Sequence, residues 1–372
     1  MSTEEAPFGS WPSPVSAALA STGSSIETLL VDRTAFGVGS VYWLEKLSDN
    51  GKSRTVLCSR GAGADAIQRW TPPPLSCKNQ VHDYGGASAI VHAGVAYFVT
   101  PKNLYKQEEP STLPTPLTTQ CCEQREDGGC FKYANPVYGH GCLYLIRENH
   151  HSFRKGESKE PQNQLCRVVI ASGAVDVIAS GADFYSSPSL SPCGRWLAWM
   201  QWNHPNMPFD ATELWLADVD TAGAVSAGLR LLGDGFANFM QPRWSGQSEL
   251  FCIADVSDHW NIHRVDVAKG RLAENVYETD TDIGSPQWSL GGSDFDIHPT
   301  EDRLAFRCGP GLFVKDLASG SVETVDTAFT DHQNIRFAED GDIYCTATAV
   351  DKPQTLLRVR CAPNEVRVAV KD

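Results

Sequence analysis

The sequence predicts an all-β fold, a seven-bladed β-propeller of four-stranded antiparallel blades. Three observations predict it. Strand signals dominate the chain: short runs rich in Val, Ile, Leu, Phe, Tyr and Trp alternate with Gly, Pro, Asp and Ser. The runs fall into groups of four that recur every ~40–50 residues, the period of a propeller blade. One segment, 183–218, spells out the grammar of a unit: DFYSSPSLSPCGRWLAWMQWNHPNMPFDATELWLAD. It holds a strand, a Ser-Pro-x-Gly turn, a second strand at 196–202, a loop built on Pro205, Pro208 and Asp210, and a third strand at 213–218.

The first group is IETLLVD, SVYWLEKL, RTVLCSR and AIQRWTP, residues 26–72. The second is SAIVHAG, VAYFVTP, NLYKQE and TPLTT, residues 88–119. KYANPVYG, CLYLIREN, QLCRVVIAS and VDVIAS form the third, ending at Ser180. The segment just quoted, continued through LRLLGDG, is the fourth. The fifth is MQPRWSG, ELFCIADVSD, WNIHRVDV and LAENVYET. The sixth is DFDIHPT, RLAFRCG, LFVKDLASG and VETVDTAF. NIRFAED, DIYCTATA, QTLLRVRC and EVRVAVK complete the seventh, ending at Lys371. A four-stranded twisted sheet cannot bury both faces alone. Stacking such sheets radially buries each face on a neighbour and leaves short edges. The first strand of each unit is expected to line the central channel. All strands of the first and last units are contiguous in sequence, so the ring is expected to close without a shared strand and to allow some opening. A two-sheet sandwich seldom needs ~28 strands. The expected organisation is an N-terminal extension, 1–22, and the propeller, 23–372.

The chain has 372 residues, of which 41% are apolar, enough for a packed core. Its formal net charge is −14, from 45 acidic and 31 basic residues. Such a surface repels phosphate backbones and argues against nucleic acid as a partner. The N-terminus MSTEEAPFGSWPSP is acidic and Pro-rich where a secretory signal is basic and then apolar. No apolar run approaches the ~20 residues that span a bilayer. The reading is a cytoplasmic protein with no membrane association. The 12 cysteines fit it: Cys142, Cys166, Cys252 and Cys345 sit inside apolar strand patterns, where a reduced thiol is a small hydrophobe.

Several segments resemble a known family. GSWPSP at 9–14, VYWLE at 41–45, VHDYGG at 81–86, the whole 183–218 segment, and QPRWS at 241–245 followed by WNIHR at 260–264 are similar to the propeller of prolyl oligopeptidase-type serine peptidases. The acylaminoacyl-peptidase or dipeptidyl-aminopeptidase-like branch is the nearest in pattern. HPNMP followed by TELW is the most specific of these marks. The chain departs from the pattern at Cys193, where Asp is usual in the turn, and at Gly246-Gln247, where Pro-Asp is usual. The resemblance implies a two-part enzyme, a gating propeller and an α/β-hydrolase domain bearing a Ser-Asp-His triad. It also implies that Ala6–Ser21, with Phe8, Trp11, Val15, Ala18 and Leu19, faces that hydrolase.

The chemistry such an enzyme needs is missing from this chain. A nucleophile elbow requires Gly-x-Ser-x-Gly on a strained strand-to-helix turn. No such pentapeptide occurs; GGASAI at Gly85 and WSGQS at Trp244 lack the second glycine at the right spacing. No catalytic residue and no cofactor is assigned. Cys121, Cys122, Cys130 and Cys142 match no common zinc spacing and read as a cysteine-bearing loop between blades. Glu148-Asn149-His150-His151 reads as a solvated hairpin end. The loop 202–210 is the best candidate for a functional contact, through Trp202, His204, Phe209 and Asp210, since loops on a rigid scaffold carry contacts. The bland alternative is a packed Pro-rich turn.

The leading expectation is a non-catalytic, substrate-gating propeller, inactive alone, whose partners are peptides or an α/β-hydrolase domain. A stand-alone scaffold for peptides or proteins is the main rival. A channel-based enzyme would need converging carboxylates, or His with a metal.

Overall fold

A computed structural model of the chain describes residues 7, 9–10, 24–34, 41–49, 52–60, 66–119, 130–361 and 364–370. Among them, 28 strands form seven four-stranded antiparallel sheets, each with its strands in sequence order. The blades span 24–69, 89–116, 131–180, 184–232, 239–277, 295–325 and 331–370. The seven groups read from the sequence are these blades. The innermost strands are Ser24–Val31, Ala89–His92, Phe131–Gly139, Phe184–Leu190, Phe239–Trp244, Phe295–Ile297 and Asp331–Phe337. Each lies beside the next, and the last beside the first, so they form the wall of the channel.

Period-two alternation builds the core. Successive side chains of a strand point to opposite faces. In a blade both faces meet a neighbour, so the runs are apolar throughout. Trp43 joins the cluster between blades 7 and 1, with Leu29, Tyr344 and Leu356. Its neighbours Tyr42 and Leu44 point the other way, into the cluster with Ala89 and Phe98 of blade 2. In blade 5, Phe251 and Ile253 face blade 6 while Leu250, Cys252 and Ala254 face blade 4. Seven such clusters, one per blade interface, hold the ring. Trp260 packs against the blade 5–6 cluster and Asn261 is buried.

Closure uses no shared strand. Blade 1 packs on blade 7 through the Trp43 cluster. The Gln354 amide also pairs with the Ile26 backbone: the Ile26 N–H donates to Oε1 at 2.8 Å and Nε2 donates to the Ile26 carbonyl at 3.1 Å. The Ser-Pro-x-Gly turn has the expected form, with Gly194 at φ 73° and its N–H bonded to the Ser191 carbonyl at 2.8 Å. The residues 11–21 of the N-terminal extension, together with Phe8, Cys121 and Cys122, lie outside the described residues.

Candidate functional site

The loops on one face of the ring come from two places: the leads into the innermost strands, and the connections between second and third strands. Two leads meet over the channel. Leu290 donates its N–H to the Gly85 carbonyl at 2.8 Å, and Gly86 and Leu290 form a parallel bridge. The lead into blade 2 is thereby tied to the lead into blade 6, making a strap across the axis. Glycine is required here. Gly86 sits at φ 100°, and a Cβ on it would lie 2.3 Å from the Leu290 carbonyl oxygen. Asn79 braces the strap by donating to the Gly86 carbonyl at 2.8 Å.

Above the strap lies a cleft of about 390 Å³, within the usual size of a ligand pocket, roughly 300–1,000 Å³. Its aromatic wall is Phe184 stacked on Trp202, with ring centres 5.3 Å apart. His82 and His204 meet the Phe184 ring edge-on, at 5.2 and 5.0 Å. Trp288 forms the opposite side, with Tyr84 and Phe209 against it at 5.3 and 4.9 Å. Of the residues expected to make contacts, Trp202 and His204 line the cleft, and Phe209 supports it through Trp288. Asp210 does something else: its carboxylate accepts the Met207 N–H at 2.7 Å and shapes the loop. His204 pairs with Glu160 at 3.1 Å at the rim.

The 148–151 segment corrects the expectation of a solvated hairpin end. Glu148 and His150 are buried and form one wall of the cleft. Glu148 accepts the His82 backbone N–H at 2.6 Å and pairs with His150 Nε2 at 2.9 Å. Burial works to raise the Glu148 carboxyl, but those hydrogen bonds outweigh it and hold it below its usual range. Burial pushes the His82 imidazole down, towards its neutral form, against the pull of Glu148. His82 and Asn163 face each other at this wall, side chain to side chain, and that contact works against burial on the imidazole. Sequence reasoning missed this wall because His82 comes from a loop 66 positions away. The pair of double glycines at 85–86 and 291–292 was the available signal for the strap.

The same face carries exposed large apolar side chains: Tyr84, Phe153, Met207, Phe236, Val256 and Trp288. Phe236 is 87% exposed. Among the described residues no group of three His, Cys, Asp or Glu side chains could hold a metal, and no helix is long and apolar enough to cross a membrane. Of the cysteines considered as a metal set, Cys130 and Cys142 are buried free thiols, Cys142 opening the strand Cys142–Asn149.

Fold and site together define a seven-bladed propeller with an aromatic cleft at one mouth. Solved structures place it further. A puromycin hydrolase matches with TM-score 0.84 and 24% identity, over 98% of this chain and 56% of that one. A puromycin-hydrolysing peptidase of Mycobacterium tuberculosis matches with TM-score 0.82 and 25% identity, again over 98% and 56%. Prolyl oligopeptidase B of Galerina marginata matches in fold, with TM-score 0.62 and 11% identity, over 94% and 52%. No family model matches the sequence, and no curated protein does. The chain shares its fold with these peptidases and spans a little over half the length of each. It contains no nucleophile elbow, and its described residues include no hydrolase domain; their only helix is the single turn His151–Arg154.

Proposed function

We propose that this chain is the non-catalytic, substrate-gating propeller of a prolyl oligopeptidase-type serine peptidase, acting with an α/β-hydrolase domain supplied elsewhere. One observation carries the reading: the mouth with the aromatic cleft is also the face where Tyr84, Phe236 and Trp288 stand exposed. Exposed apolar groups gathered on one face mark an interaction surface. A hydrolase seated there would close over the cleft, and Phe184, Trp202 and Trp288 would then meet an apolar side chain of a peptide. Residues 1–22 are read as the segment that packs on that hydrolase, ahead of the propeller at 23–372. The strap bars the axis, so peptides are expected to reach the hydrolase from the side. Nine cysteines between Cys58 and Cys345 are free thiols, which favours a reducing, cytoplasmic setting.

The test has two arms. The chain alone should take up no serine-directed fluorophosphonate; stoichiometric labelling would overturn the reading. The transcript beyond the Asp372 codon, or a co-purifying protein, should supply a Gly-x-Ser-x-Gly domain. The second reading is a stand-alone peptide-binding scaffold. The cleft itself favours it, because an aromatic-walled space of about 390 Å³ can take a ligand without a second domain. Tight peptide binding to the isolated chain, with no hydrolase found, would select it.

A further inference from the structure

Below the strap is a second chamber, of about 370 Å³, lined by the innermost strands and by Ala87, Gly291 and Gly292 of the strap itself. Four of those strands share one device. Blades 3, 4, 5 and 7 each carry a β-bulge with a left-handed residue: Asn135, Ser187, Gln241 and Asn334, at φ 51–56°. A bulge re-aims the side chains beside it. Two positions further on, the equivalent residues Val137, Ser189, Arg243 and Arg336 all line the chamber. Asp296 of blade 6 and Arg33 after the first strand of blade 1 join them. Blades 5, 6, 7 and 1 thus present Arg, Asp, Arg and Arg in succession.

The charges do not balance. Asp296 is claimed by Arg33, which ion-pairs with it, and by the Phe337 N–H at 2.8 Å. Asp32, the other carboxylate in the wall, accepts from the N–H groups of Thr34 and Gly94 at 2.9 and 2.7 Å. Arg243 has one hydrogen bond, from Nη2 to Ser293 Oγ at 3.0 Å, and its Nε is buried without a partner. Arg336 reaches only the adjacent Ile335 carbonyl, at 3.2 Å. Burial first, and then the Arg243 charge, push the Arg336 guanidinium down to about 9, so it stays protonated at neutral pH. Arg243 and Arg336 therefore share the buried Asp296 with Arg33, with a further pull from Asp294, so that three guanidinium groups surround one wall carboxylate in a chain of net charge −14. Evolution of a buried like-charged pair without a ligand would waste stability.

We propose that Arg243 and Arg336 form a carboxylate-binding subsite in the central channel, entered from the mouth opposite the aromatic cleft. Thr34 and Pro192 line the chamber towards that mouth, and the Arg33 side chain is 37% exposed there. Planar guanidinium groups suit a carboxylate through paired N–H donors. Two carboxylates already in the wall favour a monoanion over phosphate. The chamber has room for the end of a short peptide. This inference does not rest on the gating role, since the chamber lies on the far side of the strap.

The full chain is titrated calorimetrically with trialanine, trialanine amide, acetate and inorganic phosphate. Trialanine should bind at least about tenfold tighter than its amide, the worth of one charge-assisted hydrogen bond. That preference should weaken with added salt. Arg336→Met and Arg243→Met should each abolish it; each relieves the Arg243–Arg336 repulsion but takes one guanidinium from Asp296, so thermal melts check that both variants stay folded. Acetate binding as well as trialanine would identify a free carboxylic acid as the ligand rather than a peptide end. Equal binding of acid and amide, no carboxylate binding, tighter binding of phosphate, or a preference surviving in both variants would each overturn the proposal. The comparison of acid with amide on the unaltered chain needs no variant to fold.

Discussion

Replacing Gly86 by alanine should separate the strap from the ordinary behaviour of a left-handed glycine. Two effects add. The φ of 100° is disfavoured for any L-residue, at roughly 1–2 kcal/mol. The new Cβ would also meet backbone, 2.3 Å from the Leu290 oxygen and 2.7 Å from its nitrogen. Backbone cannot rotate away as a side chain can, so the strap must part. That puts at risk the Leu290–Gly85 and Asn79–Gly86 hydrogen bonds, worth about 1 kcal/mol each. Gly94 is the control. It too has positive φ, 76°, but open space around its missing Cβ. Gly94→Ala should lose about 1–2 kcal/mol and Gly86→Ala about 3–4. Urea denaturation gives both values, and amide exchange at Leu290 should accelerate only in Gly86→Ala. Equal losses in the two variants, with Leu290 protection unchanged, would refute the reasoning about the strap.

Other expectations can be checked alongside. Asp32 ties blade 1 to the turn of blade 2 at Ala93 and Gly94, and although burial works to raise its carboxyl, the hydrogen bonds from Gly94 and Thr34 leave it below its usual range. A carboxyl lowered on folding stabilises above its unfolded pKa of about 3.9 and loses that contribution as pH falls through the folded value; Asp32→Asn should therefore be weaker in urea at pH 7, with the gap closing below about pH 4. Trp202→Ala should cost about 3–5 kcal/mol as a large buried aromatic, whereas His204→Ala, whose contact with Glu160 is exposed, should stay within about 0.5 kcal/mol; thermal melts decide. Cys193 is exposed, and hydrogen bonds from Ser191 and Ser248 outweigh slight burial to lower its thiol, while burial pushes Cys252 and Cys345 up to about 12. Cys193→Ser should then remove one fast-reacting thiol from a native Ellman titration.

The blades were legible because their logic is local. Tyr42, Trp43 and Leu44 are adjacent in sequence, and alternation alone sends them to two interfaces. The loop at 202–210 was legible because aromatics interrupt a turn where small residues suffice. Glu148 and His150 were not, because a polar Glu-Asn-His-His string at a strand end carries a surface signal. The His82 loop, arriving from the far end of blade 1, meets Glu148 there. The channel arginines fall between these cases. Arg243 and Arg336 look unremarkable in QPRW and NIRF, and their equivalence emerges once the bulges at Gln241 and Asn334 set a common register.

The strap changes what gating can mean in this propeller. A ring sealed by apolar interfaces and by Gln354 could admit a peptide along its axis only if the axis were clear. Here the Gly85–Leu290 contact crosses it, and the spaces on either side differ in chemistry. One is aromatic, with a carboxylate already satisfied by His150 and the His82 N–H. The other is cationic, with Arg33, Arg243 and Arg336 gathered about the one carboxylate of Asp296. A through-passage would favour a continuous lining, because a peptide moving along it must shed and remake its contacts at every step. Two dissimilar chambers back to back do not offer one. A ligand in the lower chamber would touch Gly291 and Ala87, the residues flanking the bridge that walls off the aromatic cleft. Any movement of the strap that such a ligand favours is felt in both spaces, because the same few backbone atoms form the floor of one and the roof of the other.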